Sequence, residues 1–217
     1  TVLFGGGEQH FLPEGTDGVH GPGTRTDGRN LIDEARAAGY TVIRTRNELL
    51  TLPVGTEKVL GLFAHDDTYN DRSEEDNRNR ALPNYDPAAP SVAEMTDVAL
   101  KLLEARGRNF LLVVEEEGTD NFGNRNNANG TLEAAKRADD ALGVCRAFIA
   151  RRPDTVLLTT ADSDAGGLHM KGIPMLPDRD VPEQLPATAR NGAPVDGVRG
   201  TGTAPFIAAP DRFGQRL

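Results

Sequence analysis

Carboxylates gather at two places in this chain. One is the run Glu115-Glu116-Glu117 followed by Asp120, within FLLVVEEEGTDNFGNRNN (110–127); the other is Asp162 and Asp164, within TTADSDAGG (159–167). Each cluster follows directly on an apolar run. Brought together without a counter-charge, Glu115, Asp120 and Asp162 would repel, and some would keep their protons. A divalent cation removes that conflict. The neighbours Asn121, Asn124, Asn126, Asn127, Ser163 and Asp164 offer oxygen donors. Oxygen sets favour Mg²⁺, Mn²⁺ or Ca²⁺ over Zn²⁺. Asp and Asn are also ordinary turn residues, so spacing alone leaves open a pair of solvated loops.

The elements that must position these residues are legible in the hydrophobic pattern. NFLLVV (109–114) and TVLLTT (155–160) are too apolar for one-sided burial, so both are expected as strands inside a sheet covered on both faces. The segment between them carries a helix over about 131–151, with Leu132, Ala135, Ala138, Leu142, Cys145 and Phe148 on its buried stripe. Strand, helix, strand in this order implies a parallel crossover unit. Open parallel sheets bind ligands at the carboxyl ends of their strands. The crossover would therefore bring the polar knots at 115–127 and 162–164 to one sheet edge.

Upstream, VLFGGG, YTVIRT and VLGLFA read as strands. A helix lies in DGRNLIDEARAAG, with Asp27 as cap and Gly39 as its end, and ELLTL is a short helical turn. Ser91 and Glu94 form a capping box before a helix whose face is Val92, Met95, Val98, Ala99, Leu102 and Leu103. Residues 65–90 have almost no apolar content and are expected as an exposed polar excursion; 168–217 are Pro- and Gly-rich with one strand-like patch, PFIAA. No internal repeat is present.

With 217 residues, one domain is the default count. The net charge of −9 disfavours nucleic acid and anionic membranes as partners. No apolar run approaches membrane-spanning length and no signal peptide is visible. The single cysteine, Cys145, excludes an intrachain disulfide and a Cys-rich zinc module. The Gly5-Gly6-Gly7 run lacks the Lys-Ser/Thr of a phosphate loop. Asn129-Gly130-Thr131 fits a glycosylation triplet formally, but turn and cap is the expected role. The chain begins at Thr1 rather than Met, so preceding sequence is expected.

The stretch APSVAEMTDVALKLLEARGRNFLLVVEEEGTDNFGNRNN, with TLEAAKRADDALG and TVLLTTADSDAGG after it, resembles the alkaline phosphatase family. VLFGGG, GTRTDG, LLTL and VLGLFA fall in the family's order, so the resemblance covers roughly residues 1–167. It implies an α/β fold, a three-layer α/β/α sandwich with a mostly parallel central sheet, here apparently incomplete. It implies hydrolysis of phosphate monoesters through a phosphoserine, with metals that activate the serine and hold the phosphate. Residue by residue, Glu115 stands at the family's Mg²⁺ ligand. Asp120 stands at the aspartate of the first zinc site, and Asp162 at that of the second. It also implies a homodimer when complete and a periplasmic or secreted location.

The departures carry as much information. Asn124 and Ser163 stand where the family has zinc-binding histidines, and Glu116-Glu117 replaces a pair of glycines. An amide and a hydroxyl are poor zinc ligands, so the metal set implied is Glu115, Asp120, Asn124, Asp162 and Ser163 with Mg²⁺, Mn²⁺ or Ca²⁺; Zn²⁺ stays possible. His65 and His169 could be drawn in. The family's nucleophile and phosphate-binding arginine fall before the equivalent of Thr1, and its third zinc-site histidine falls after 217. The remaining part of the domain is then a second chain or a longer precursor. Among Ser73, Ser91 and Ser163, only Ser163 echoes a nucleophile motif. A non-catalytic fragment that binds a cation or phosphate is the alternative, and a phosphodiesterase or sulfatase-like hydrolase of the same superfamily ranks third.

Overall fold

The computed structural model describes residues 1–125 and 127–161. Its frame is a parallel three-stranded sheet of β1 (Val2–Gly5), β2 (Thr41–Ile43) and β3 (Val59–Leu62), in the order β1-β3-β2. Val2 pairs with Val59 and Thr41 with the same Val59, so β3 is hydrogen-bonded along both edges. All four β3 residues are buried, as an unbroken apolar run requires.

Alternate β3 side chains enter two cores, one on each face of the sheet. On one face Val59 packs with Ile43, Leu49, Phe63, Val98 and Leu102. Leu49 belongs to α2 (Arg46–Leu50), and Val98 and Leu102 to α4 (Val92–Glu104). On the other face Leu60 and Leu62 pack with Leu12 and with Ile32 of α1 (Leu31–Ala37). Helix, sheet, helix is the α/β/α layering expected from the sequence.

The helices begin where side-chain acceptors meet orphan backbone donors. Ser91 Oγ accepts from Glu94 N at 3.2 Å, and Glu94 Oε2 accepts from Ser91 N at 2.9 Å, the expected capping box of α4. Thr45 and Glu48 do the same for α2. Asn30, not Asp27, caps α1, accepting from Ile32 N and Asp33 N. Asp27 instead holds Arg25. Gly39 follows α1 at φ +83°, a turn an L side chain would strain.

The described residues divide into two compact units: 1–69, 85–115 and 137–157 form the first, and 70–84, 116–125, 127–136 and 158–161 the second. A single domain was the expectation from length. The sheet and both cores belong to the first. The second contains α3 (Glu74–Asn79) and α5 (Gly118–Asn124). The 65–90 stretch is therefore not wholly an exposed excursion: it holds α3 and buries Glu74, Asn77 and Tyr85. α6 (Ala128–Arg151) starts three residues earlier than expected, and its buried positions are Ala128, Gly130, Ala134, Ala141 and Phe148. Leu132 and Ala135, expected on the buried stripe, are exposed, Leu132 by 60%.

The two expected interior strands depart most. Residues 109–116 and 155–161 have no strand assignment. Leu111, Val113, Val156 and Leu158 are each more than 80% exposed. A β-strand is stable only with a hydrogen-bonded neighbour. Among the described residues none is placed alongside either run.

Candidate functional site

Asp120 and Asn124 both lie on α5, four residues apart and so on one helical face. Asn124 Nδ2 donates to Asp120 Oδ2 at 3.1 Å. The loop expected at this knot is thus a short helix. Its start is shaped by Glu116, whose Oε1 accepts from Gly118 N at 3.2 Å and whose carbonyl accepts from Thr119 Oγ1 at 3.1 Å. The Glu116-Glu117 pair is therefore compatible with a helical turn that glycines would favour less. Phe122 is fully buried beneath α5, and a Cβ on Gly130 would collide with its ring. That contact locks the helix in place.

Asp120 and Asn124 are oxygen donors, suited to a hard cation. With Asn124 turned as it is, its amide nitrogen faces the carboxylate. A cation on Asp120 would require the amide to turn its oxygen inward. Arg125 is not available to neutralise Asp120. Its Nε and Nη2 grip Asp71 at 3.1 and 2.8 Å, and that pairing holds the guanidinium above its ordinary value.

Glu115 lies in the run 109–116, which has no regular secondary structure, and is exposed. It belongs to the first unit, whereas Asp120 and Asn124 belong to the second. Asp162, Ser163, Asp164, His169, Asn126 and PFIAA lie outside the described residues. Among the described residues no three His, Cys, Asp or Glu side chains converge as a metal site would require.

The other candidates resolve into structural roles. His65 Nε2 lies 2.9 Å from the Pro22 carbonyl, and His20 Nε2 lies 3.0 Å from that of Arg44. Both rings tie loops together. His10 pairs with Asp66 at 3.3 Å. Ser73 caps α3, accepting from Asp76 N at 3.2 Å, and Ser91 caps α4. Gly6 needs to be glycine because a Cβ there would run into the Asp66 carbonyl. The triple glycine thus makes a close backbone approach, not a phosphate cradle.

Sequence reasoning missed two groups. Asn127, fully buried, accepts from Gly130 N at 2.7 Å and caps α6, the role expected of Asn129. An asparagine three residues ahead of that glycine was the available signal. The second group is the fully buried Glu8. It takes Arg44 Nε at 2.6 Å on one oxygen and His20 N at 2.6 Å on the other. Glu8 follows β1 and Arg44 follows β2, so the carboxyl edge of this sheet is closed by an ion pair.

The family profile of alkaline phosphatase matches residues 1–193. The chain belongs to the alkaline phosphatase family. It is 31% identical over 201 residues to the tissue-nonspecific alkaline phosphatase of Felis catus, covering 82% of this chain and 36% of that protein. It is 32% identical over 208 residues to the streptomycin-6-phosphate phosphatase of Streptomyces griseus, covering 86% of this chain and 42% of that protein. The crystal structure of Thermus thermophilus alkaline phosphatase superposes with a TM-score of 0.53 at 34% identity, over 70% of this chain and 28% of that one. The chain therefore spans well under half the length of these relatives. Among the described residues, no helix is long and apolar enough to cross a membrane.

Proposed function

We propose that this chain is the metal-holding part of a phosphomonoesterase, with its serine nucleophile supplied by sequence outside these 217 residues. Family membership together with the Asp120–Asn124 oxygen pair on α5 carries this reading. Asp120 and Asn124 hold one cation, Glu115 contributes to a Mg²⁺ position, and Asp162 and Ser163 complete the set from the second strand end. The metal, when bound, polarises the phosphoryl group and steadies the leaving oxygen. The chain's own residues orient that charge: Asp120 is fixed by α5, which is fixed by Phe122 and Gly130. Ser73 and Ser91 are engaged as caps, which supports a nucleophile from elsewhere.

The substrate is a phosphate monoester. The partner is the remainder of the catalytic domain, as a second chain or a longer precursor, and the completed enzyme is a homodimer, periplasmic or secreted. The exposed apolar runs at 111–114 and 156–158 support such a partner, since each is a strand in search of a ladder. The replaced histidines favour a second reading, a non-catalytic relative that keeps cation or phosphate binding.

The test is hydrolysis of p-nitrophenyl phosphate by the full-length protein, metal by metal, after its intact mass is known. Activity supported by Mg²⁺ or Mn²⁺ at least as well as by Zn²⁺ is expected. Strict zinc dependence would overturn the oxygen-ligand assignment, and inactivity of the full-length protein with every metal would favour the second reading. Asp162→Ala is expected to cost most of the turnover; near-normal rates would remove that strand end from the site.

A further inference from the structure

α5 cannot hold itself in place. It has seven residues, well short of the about 12–15 at which an isolated helix becomes even marginally stable in water. Gly118, Asn121, Gly123 and Asn124 are weak helix formers. The fully buried Phe122 anchors its middle, but one ring leaves tilt and rotation about that point open. Asp120 and Asn124 would swing with the helix. A functional carboxylate has to be held to within about 0.5 Å, so the remaining constraint has to come from outside α5.

The segment 70–84, in the same unit, supplies it. Its two ends meet, Asn70 N donating to the Asn84 carbonyl at 2.7 Å and Asn70 Nδ2 to that of Pro83 at 2.8 Å. A loop closed in this way is a compact body of its own. It grips the C-terminal end of α5. Arg125, the C-cap, meets Asp71 as a fork, Nε to Oδ1 at 3.1 Å and Nη2 to Oδ2 at 2.8 Å. Asn127 commits Nδ2 to the Arg72 carbonyl at 3.1 Å and to Asn84 Oδ1 at 3.3 Å. Its backbone N–H donates back to the Phe122 carbonyl at 2.8 Å. Further along, Asn84 Nδ2 reaches Glu133 Oε2 and Asn129 Nδ2 reaches Glu74 Oε1, both at 3.1 Å.

The two grips supply different things. Asn127 is fully buried, so each partner it lost would strand a buried polar group. Asp71 is 24% exposed and Arg125 55%, so water screens their attraction. What the fork supplies is direction, because two parallel hydrogen bonds fix the plane of the guanidinium and with it the helix end. We propose that Asp71 and Asn127 are positioning residues for the face of α5 that carries Asp120 and Asn124, and that 70–84 is the mount on which this helix is set. The inference rests on the assignment of Asp120 and Asn124 to a cation. Asp71 acts through Arg125, and Asn127 through the Phe122 carbonyl; neither has to touch the metal.

The test has two arms, both on the full-length protein. The first is amide hydrogen exchange after stripping with chelator. Asp71→Asn keeps the shape and removes the charge, and should speed exchange at 121–125 by about two- to fivefold, the scale of a screened ion pair, while α4 stays unchanged. Asp71→Arg combined with Arg125→Asp rebuilds the fork in reverse and should restore slow exchange, which neither reversal alone should do. The second arm is Mn²⁺ titration followed by electron paramagnetic resonance. Asp71→Asn should weaken Mn²⁺ by a similar factor, and the reversed pair should recover it. Asn127→Asp should do more in both arms, since it sets a carboxylate against two acceptors; if it does not fold, the Asp71 variants decide. Unchanged exchange in Asp71→Asn would overturn the proposal, as would an equal rise across α4 and α5 or a reversed pair that rescues nothing. Where Mn²⁺ binding depends on Asp120, faster exchange with full affinity would also overturn it, since the grip would then serve stability alone. Mn²⁺ binding indifferent to Asp120→Ala would instead remove the metal from α5, and the exchange arm would still decide whether 70–84 is its mount.

Discussion

At the scale of single residues, buried charge sets the sharpest expectations. Glu8 has no exposed surface, and Arg44 is 16% exposed where it meets it. Arg44→Ala would leave a carboxylate stranded in the sheet edge, a change that typically costs about 3–5 kcal/mol. Urea denaturation of the variant checks this; a loss under about 1 kcal/mol would mean that water reaches Glu8. Glu94 gives a pH signature. Arg46, chiefly, and then the backbone and hydroxyl of Ser91 hold its carboxyl below the ordinary carboxylate range. A depressed folded-state value contributes stability above the unfolded value, and that stability is lost as pH falls through the folded one. Stability should therefore decline below about pH 4, and Glu94→Gln should flatten that acid limb in denaturation curves taken at several pH values. Glu94 was legible as a capping residue because Ser-x-x-Glu is a local pattern. Glu8 was not, since its partners Arg44 and His20 are 36 and 12 residues away.

At the scale of elements, caps and close approaches decide where helices sit. Ser91→Ala removes the α4 cap and should cost about 1 kcal/mol, read from thermal unfolding. Gly130→Ala is expected to cost more, on the order of 1–3 kcal/mol, because the new methyl would meet the fully buried Phe122 ring. If the alanine proves neutral, α5 is not fixed by this contact, and Asp120 is not fixed with it. The sequence made α1, α2, α4 and the three strands readable through period and capping. It placed Phe148 of α6 in the core correctly but missed Ala134 and Ala141, which precede it at the same spacing. Small residues at seven-residue spacing carry little hydrophobic signal, and the larger Leu132 drew the stripe to the wrong side. The knot at 115–127 read as a loop because Gly118 and the asparagines are poor helix formers. Burial of Phe122 overrides that propensity.

At the scale of the whole molecule, the family and its layered fold were legible, because motif order survives even where ligands are exchanged. The Asp120–Asn124 pair was half legible: both residues were foreseen as neighbours, but not as a helical pair with the amide nitrogen facing inward. The runs at 109–114 and 155–160 were read as interior strands from composition, which reports what a segment needs and not what lies beside it. Their exposure carries its own prediction. Leu111, Val113, Val156 and Leu158 should make the isolated chain associate as its concentration rises. Leu111→Lys with Val113→Lys should shift it toward monomer in sedimentation velocity. Unchanged association would place the sticky surface elsewhere.

The strand order β1-β3-β2 also has a consequence in time. The middle strand is the last of the three to be synthesised, and Val2 pairs with Val59, 57 positions later. β1 and β2 do not touch each other, so neither has a ladder until β3 emerges from the ribosome. Local helices such as α1 can form during that wait, but the sheet cannot, and long-range parallel pairing is slow once it starts. The nascent chain thus carries β1 unpaired from Val2 until Val59, joined by an unpaired β2 from Thr41 onward, a window in which a chaperone has something to hold.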